Sequence, residues 1–176
     1  MPRIPYVPID LAEPAEIVAA VRRRRGGTLL NLDRMLLHSP SLAAGWNSFL
    51  GAVRRDLSID PKLRELAMCV VAVVNGADYE FLHHAPLFIE AGGSQAQVDA
   101  MRDPSLAMHD AALFNATERA AIALTVEMTR DVRVHDGTFA KVRACLSERQ
   151  TVELVAVIAT YNMVSRFLVA LGVEPE

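Results

Sequence analysis

Between Asp60-Pro61 and Asn75-Gly76 the chain carries the apolar block Met68-Cys69-Val70-Val71-Ala72-Val73-Val74. By β-propensity alone, Val70 to Val74 would be a strand. The spacing argues otherwise. Leu63, Leu66, Ala67, Val70 and Val74 recur every three or four residues, between a helix-starting Asp-Pro and a helix-stopping Asn-Gly. The block therefore reads as a helix with almost no polar face, and such a helix is buried on most sides.

The flanking segments carry helix signals of their own. Pro14 opens a helix to Arg25, stopped by Gly26-Gly27, and Ser39-Pro40 opens one toward Asp56. Ser94 with Gln97, and Ser147 with Gln150, have capping-box spacing. Thr117 is the expected cap of a helix over Glu118 to Arg130, and Asp136 that of one reaching Cys145. The last helix runs from Glu148 to Leu171, with Gly172 just past its end. Met101 to Asn115, which contains Pro104, is expected to be a loop with a short helical turn. No strand pair, repeat or low-complexity tract interrupts the pattern. Aromatic residues are few, at one Trp, three Tyr and six Phe. An all-α domain of about seven or eight helices is expected.

The 176 residues are 52% hydrophobic and 22% charged, which excludes disorder as the main state. A net charge of −3 argues against nucleic acid as the main partner. No apolar run reaches the roughly 18 residues of a membrane span, and the N-terminus lacks the apolar segment of a signal peptide. A cytoplasmic protein without a membrane partner is expected. The final helix, with Val152, Leu154, Val155, Val157, Ile158 and Ala159, is nearly as apolar as the central one. Two such helices in so small a domain point to burial by a second subunit, hence a homo-oligomer. Cys69 and Cys145 both lie in apolar stretches and read as small buried hydrophobes, too few for a disulfide scaffold.

The polar residues that break the apolar pattern are the informative ones. If Asp78 starts a helix, Glu80 and His84 are four apart and share a face, with Leu87 and Ala91 continuing it. On that apolar background a carboxylate and an imidazole can bond, shift each other's pKa and act as acid and base. A structural or water-facing ion pair fits the same spacing. Glu65 sits in the first turn of the preceding helix, where the dipole favours a carboxylate. Cys69 and Ala72 carry its face into the apolar region, so it needs a partner, which His83 or His84 can supply. The other histidine is expected to face solvent or an adjacent subunit. Arg64 is expected to point away from Glu65.

In the final helix, Asn162 and Arg166 are four apart, beside Tyr161 and Ser165. Arg166 could grip a substrate carboxylate through two parallel hydrogen bonds, or serve as a helix-terminal cation. Trp46 and His38 lie in the N-terminal part, as cover for a pocket or as core and cap contacts. Arg22 to Arg25 reads as a solvated helix end. Two ligands, Glu80 and His84, do not make a metal site, and His38, His109 and His135 lack metal-like spacing, so neither metal nor cofactor is expected. Gly26-Gly27 and Gly92-Gly93 lack phosphate-loop spacing.

Arg64-Glu65-Leu66, then Glu80-Phe81-Leu82-His83-His84, then Glu90-Ala91-Gly92 resembles the carboxymuconolactone decarboxylase family, which includes the alkyl hydroperoxidase D proteins. The likeness extends to Met35-Leu36-Leu37-His38-Ser39-Pro40, to Thr117-Glu118-Arg119-Ala120-Ala121, and to Val152-Glu153-Leu154 with Tyr161-Asn162. The resemblance implies an alkyl hydroperoxidase D-like helical bundle. It spans residues 1–176 as a single domain, with 1–57 an N-terminal helical extension packed on the core. The oligomer would be a trimer or hexamer.

The family's peroxidase members carry a glutamate, a Cys-x-x-Cys pair and a histidine. In that register this chain has Glu65, then Ala77 and Glu80 in place of the cysteines, then His84. Thiol peroxidase chemistry needs an attacking and a resolving thiol, and Ala77 and Glu80 are neither. Glutamate at the second position resembles the decarboxylase-like branch, which is cofactor-free and acts by acid–base groups on a lactone or related carboxylated small molecule. The roles implied are His84 as proton donor, Glu80 as its partner or a second acid–base group, and Glu65 as orienter. His83, Asn162, Arg166 and Trp46 are candidate substrate contacts. Two other functions fit the resemblance: a non-catalytic oligomeric ligand-binding module, and a hydroperoxidase-related protein without the thiol pair.

Overall fold

A computed structural model describes residues 1–176 and contains ten helices and no strand. In order these are α1 (Ala15–Arg24), α2 (Asn31–Leu36), α3 (Pro40–Arg55), α4 (Pro61–Asn75), α5 (Asp78–Glu90), α6 (Gln95–Ala100), α7 (Pro104–Ala107), α8 (Ala116–Arg130), α9 (Asp136–Cys145) and α10 (Glu148–Leu171). The excess over the expected count lies in short pieces. α2 and α7 have six and four residues, too few for an apolar period to show. The chain divides into two compact units: Met1–Leu57 with Leu168–Glu176, and Ser58–Phe167.

In the first unit α1 and α2 both pack on α3. The arginine run is only in part a solvated helix end, with Arg23 exposed. Arg24 and Arg25 both pair with the buried Asp33, at 3.0 and 2.9 Å, and the Leu30 N–H donates to the same carboxylate. Arg22 donates to the carbonyls of Ile9 and Leu11. A carboxylate buried at the start of α2 needs charged donors, and the end of α1 provides them. Trp46 is buried on α3 of this unit. His38 is exposed, with Nε2 2.7 Å from the Pro5 carbonyl oxygen.

The second unit is built around α4. Asp60 Oδ1 accepts from the Leu63 N–H at 3.0 Å and Pro61 occupies the first turn. At the other end Gly76 adopts φ 64°, which lets the Ala77 N–H reach back to the Ala72 carbonyl at 2.8 Å. Leu66 through Val71 are fully buried within this one chain, by α5, α8 and α7 packed on α4. A second subunit is therefore not needed to cover α4.

Two caps differ from expectation by a residue or two. Asn115, not Thr117, caps α8, in a reciprocal box with Glu118. Asp136 is the first residue of α9, preceded by His135. Cys69 is fully buried, whereas Cys145 is exposed at the end of α9. An apolar neighbourhood in sequence does not by itself bury the last residue of a helix.

α10 is 24 residues long, with a mean hydropathy of 1.8 over its most apolar window. By length and composition alone it could cross a membrane, against the expectation that no segment would. Scattered polar residues interrupt any single apolar run without lowering the mean enough. Half of that window is buried inside the chain. Its Glu153 accepts from both the N–H and the hydroxyl of Ser58, at 2.9 and 2.8 Å. Such contacts make α10 a core helix of the bundle.

Candidate functional site

The left-handed turn at Gly76 sends the chain back so that α5 packs along α4. This apposition brings Glu65 on α4 against His84 on α5. His84 Nδ1–H donates to Glu65 Oε2 at 2.6 Å, and both side chains are buried, at 6% and 4% exposure. Arg64 does not point away. Its Nε and Nη2 both lie 3.2 Å from Glu65 Oε1. Neighbouring helical residues diverge by about 100°, but the long arginine stem bends back over that angle. Burial by itself would raise the Glu65 pKa. The His84 hydrogen bond and the charges of His84 and Arg64 outweigh burial and hold the carboxyl below its ordinary value.

Glu80 is buried as well, at 2% exposure. Its Oε2 accepts from the Ser165 hydroxyl of α10 at 2.5 Å. One turn before Ser165, the Tyr161 ring stands edge-on to the His84 imidazole, centroids 4.9 Å apart and planes at 86°. Cys69 lies on α4, one turn after Glu65, within reach of both carboxylate charges. Burial and the negative charges of Glu65 and Glu80 push its thiol far up, with Arg102 a smaller opposing influence. The thiol is therefore held protonated and is a poor nucleophile. The face that carries Glu80 and His84 continues into Phe88, fully buried, and not into Leu87, which is 42% exposed. Successive steps of four, not three, keep a long apolar side chain under α4 here.

His84, not His83, is the histidine that meets Glu65. His83 Nδ1–H donates to the Tyr79 carbonyl at 2.8 Å and its ring stacks on Tyr79 at 4.3 Å. Asn162 is a buried junction. Its amide nitrogen donates to Thr129 Oγ1 and the Ile158 carbonyl, both at 3.0 Å. Its Oδ1 accepts from Asn75 Nδ2 at 3.1 Å and from Arg166 Nη1 at 2.6 Å. Arg166 Nη1 also reaches the Asn162 carbonyl. These bonds tie α4, α8 and α10 together and direct the arginine to protein oxygen.

Thr129 and the Ser165–Glu80 bond were not anticipated from sequence. The usable signal for Ser165 was its four-residue spacing from Tyr161 inside an otherwise apolar helix. No group of three His, Cys, Asp or Glu side chains is gathered as a metal site. An open cavity of about 370 Å³ is lined by Asp99, Arg102, Asp103, Leu106 and Asp110 among others, and by none of Glu65, Glu80 or His84.

The carboxymuconolactone decarboxylase family matches residues 40–127, half of the chain. No curated protein matches. An uncharacterized peroxidase-related protein from Ralstonia eutropha JMP134, described as an alkylhydroperoxidase AhpD core, superposes with a TM-score of 0.83 at 17% identity, over 99% of this chain and 92% of that one. The debrominase Bmp8 in complex with 2,3,4-tribromopyrrole gives 0.82 at 18% identity, over 98% and 92%. An uncharacterized peroxidase-related protein from Silicibacter sp. TM1040 gives 0.81 at 14% identity, over 99% and 92%. At these identities the likeness is one of fold: the bundle is alkyl hydroperoxidase D-like.

Proposed function

Because this chain belongs to the carboxymuconolactone decarboxylase family, we propose that it carries out cofactor-free acid–base lyase chemistry on a small carboxylated, lactone-like substrate. The observation that carries this is the buried Glu65–His84 hydrogen bond at 2.6 Å, with a second buried carboxylate, Glu80, on the same helix face as His84. In a decarboxylation the bond to the carboxyl carbon breaks and its electrons enter the conjugated ring. Carbon dioxide departs, and a proton must then reach carbon. With Nδ1 held by an ionised Glu65, a protonated His84 carries its transferable proton at Nε2. Glu65 fixes the ring and stabilises the imidazolium. Glu80 is the second acid–base group. Ala77 and Glu80 at the thiol positions, and a protonated Cys69, weigh against thiol peroxide reduction.

Function as a homo-oligomer is part of the same proposal. Its support is α5, which leaves Leu82 and Ile89 exposed, seven residues apart on one face.

The test is carbon dioxide release from a panel of carboxylated lactones, with 2,3,4-tribromopyrrole, the ligand of a structural neighbour, included for halide release. Glu80→Gln and His84→Ala should each lower turnover by about 10²- to 10⁴-fold. Equal turnover in the variants would remove the assigned roles.

A second reading, a non-catalytic ligand-binding module, is favoured by one observation. Arg64 and Arg166, the cations nearest the candidate residues in sequence, both bond protein groups, Glu65 and Asn162. Calorimetric binding of a panel member with no turnover would select it.

A further inference from the structure

Helical serines and threonines in the interior usually satisfy their hydroxyl on the carbonyl one turn back. Three in this chain do so. Thr125 donates to Ala121, Thr151 to Ser147 and Thr160 to Ala156, at 2.7 to 2.8 Å. Ser165, fully buried on α10, does not. Its hydroxyl crosses to α5 and donates to Glu80 Oε2 at 2.5 Å, 85 positions away in sequence. A hydroxyl has one proton to donate, and here it is aimed at a carboxylate on another helix.

We propose that Ser165 is a positioning residue for Glu80, holding its carboxylate oriented and ionised inside the protein. The functional consequence rests on the acid–base role proposed for Glu80. The charged and titratable groups about Glu80 make the bond consequential. Cys69 on α4 feels the charges of Glu65, of Glu80 and, with opposite sign, of Arg102 just after α6, while His84 lies one turn on from Glu80 along α5 and meets Tyr161 of α10. Burial and the negative charge of Glu65 both disfavour a second carboxylate in this space. A donated O–H favours the ionised form and opposes them. Through Tyr161 against His84 and Ser165 on Glu80, one stripe of α10 sets both groups that would exchange protons with a substrate.

The test is the Glu80 titration followed by carbon-13 NMR of glutamate-labelled protein, its resonance assigned with Glu80→Gln. Ser165→Ala should raise the Glu80 midpoint by about one to two pH units, the equivalent of one charge-assisted hydrogen bond. The near-isosteric Ser165→Cys, a weaker donor, should raise it in the same direction, and it decides the matter should the alanine variant not fold. An unchanged midpoint in a variant with native helical circular dichroism overturns the proposal. The titration needs no substrate. A shifted midpoint without any carbon dioxide release would sink the lyase function and leave the positioning role standing. Release with an unshifted midpoint would do the reverse.

Discussion

His84 Nδ1 and Glu65 Oε2 lie 2.6 Å apart, joining side chains 19 positions apart in sequence across the α4–α5 contact. Neither is exposed enough for water to replace the other, and Arg64 is a second partner of Glu65. A pair of this kind is strongly damaged by removing one member, because the remaining charge is left buried. His84→Ala should therefore cost about 3 kcal/mol of unfolding free energy, measured by urea denaturation at neutral pH. A loss below about 0.5 kcal/mol would show that Arg64 alone satisfies Glu65.

The same pair sets an acid limit. The Glu65 pKa is lower in the native protein than the ordinary value of 4.5. Its contribution to stability is thus fully present above that value. It is lost as pH falls from 4.5 through the lower native value, where the folded carboxylate takes up its proton. Urea midpoints followed from about pH 7 to about pH 3 should fall in that window, and Glu65→Gln should flatten the fall. A variant whose acid limb is as steep as the native one would contradict the assignment.

The two cysteines should react very differently. Cys145 is exposed, whereas Cys69 is fully buried with its thiol pushed far up by burial, Glu65 and Glu80. In native protein a thiol reagent such as dithionitrobenzoate should modify Cys145 quickly and Cys69 only as the chain unfolds. Two equally fast thiols would be incompatible with the packing of α4.

Gly93 lies where a side chain has no room. A Cβ there would stand 2.2 Å from the Phe88 ring, which is fully buried on the face that carries Glu80 and His84. Gly93→Ala should destabilise the protein by about 1–3 kcal/mol. It should also move the NMR signals of His84, one turn from Phe88. Native stability and unshifted signals would show that Phe88 can step aside.

In the first unit, Asp33 holds two arginines at once. Arg24 is itself pulled down to about 10, chiefly by burial and by Arg25, with Asp33 opposing both. Asp33→Ala should cost about 3 kcal/mol. Arg149→Ala, whose partner Glu153 keeps the Ser58 bonds, should cost under about 1 kcal/mol, since Arg149 is mostly exposed. Comparable losses in thermal or urea unfolding would mean that the Asp33 cluster is wetter than its burial indicates.

Much of the fold was legible because its signals are local. Asp60-Pro61 and Gly76 mark the ends of α4, and Ser94 with Gln97 mark a helix start, through bonds spanning only a few residues. α2 escaped notice because six residues carry too little periodicity, whereas α7 is the short helical turn expected within Met101 to Asn115. Asn115 escaped because Thr117, also a good cap, stands two positions later. In the site, Glu65, Glu80 and His84 were readable as polar breaks in apolar helix faces. The partner of Glu65 was readable as one of His83 and His84, and the structure selects His84; the partner of Glu80 on α10 was not readable. Two bonds of this site run between helices, from Ser165 to Glu80 and from His84 to Glu65, and the spacing within one helix does not show them.

Sequence by itself determined the helical class, the burial of α4 and the absence of cysteine at positions 77 and 80. Those depend on periodicity, capping and residue identity, which are properties of neighbours along the chain. Only the tertiary structure decided which carboxylate meets which donor. It also showed that Arg64 folds onto Glu65, that Arg24 and Arg25 are drawn to Asp33, and that Cys145 is left at the surface. Hydrogen-bond partnership in a helical bundle is a matter of which faces meet and at what axial offset. No periodicity within one helix encodes the offset of another.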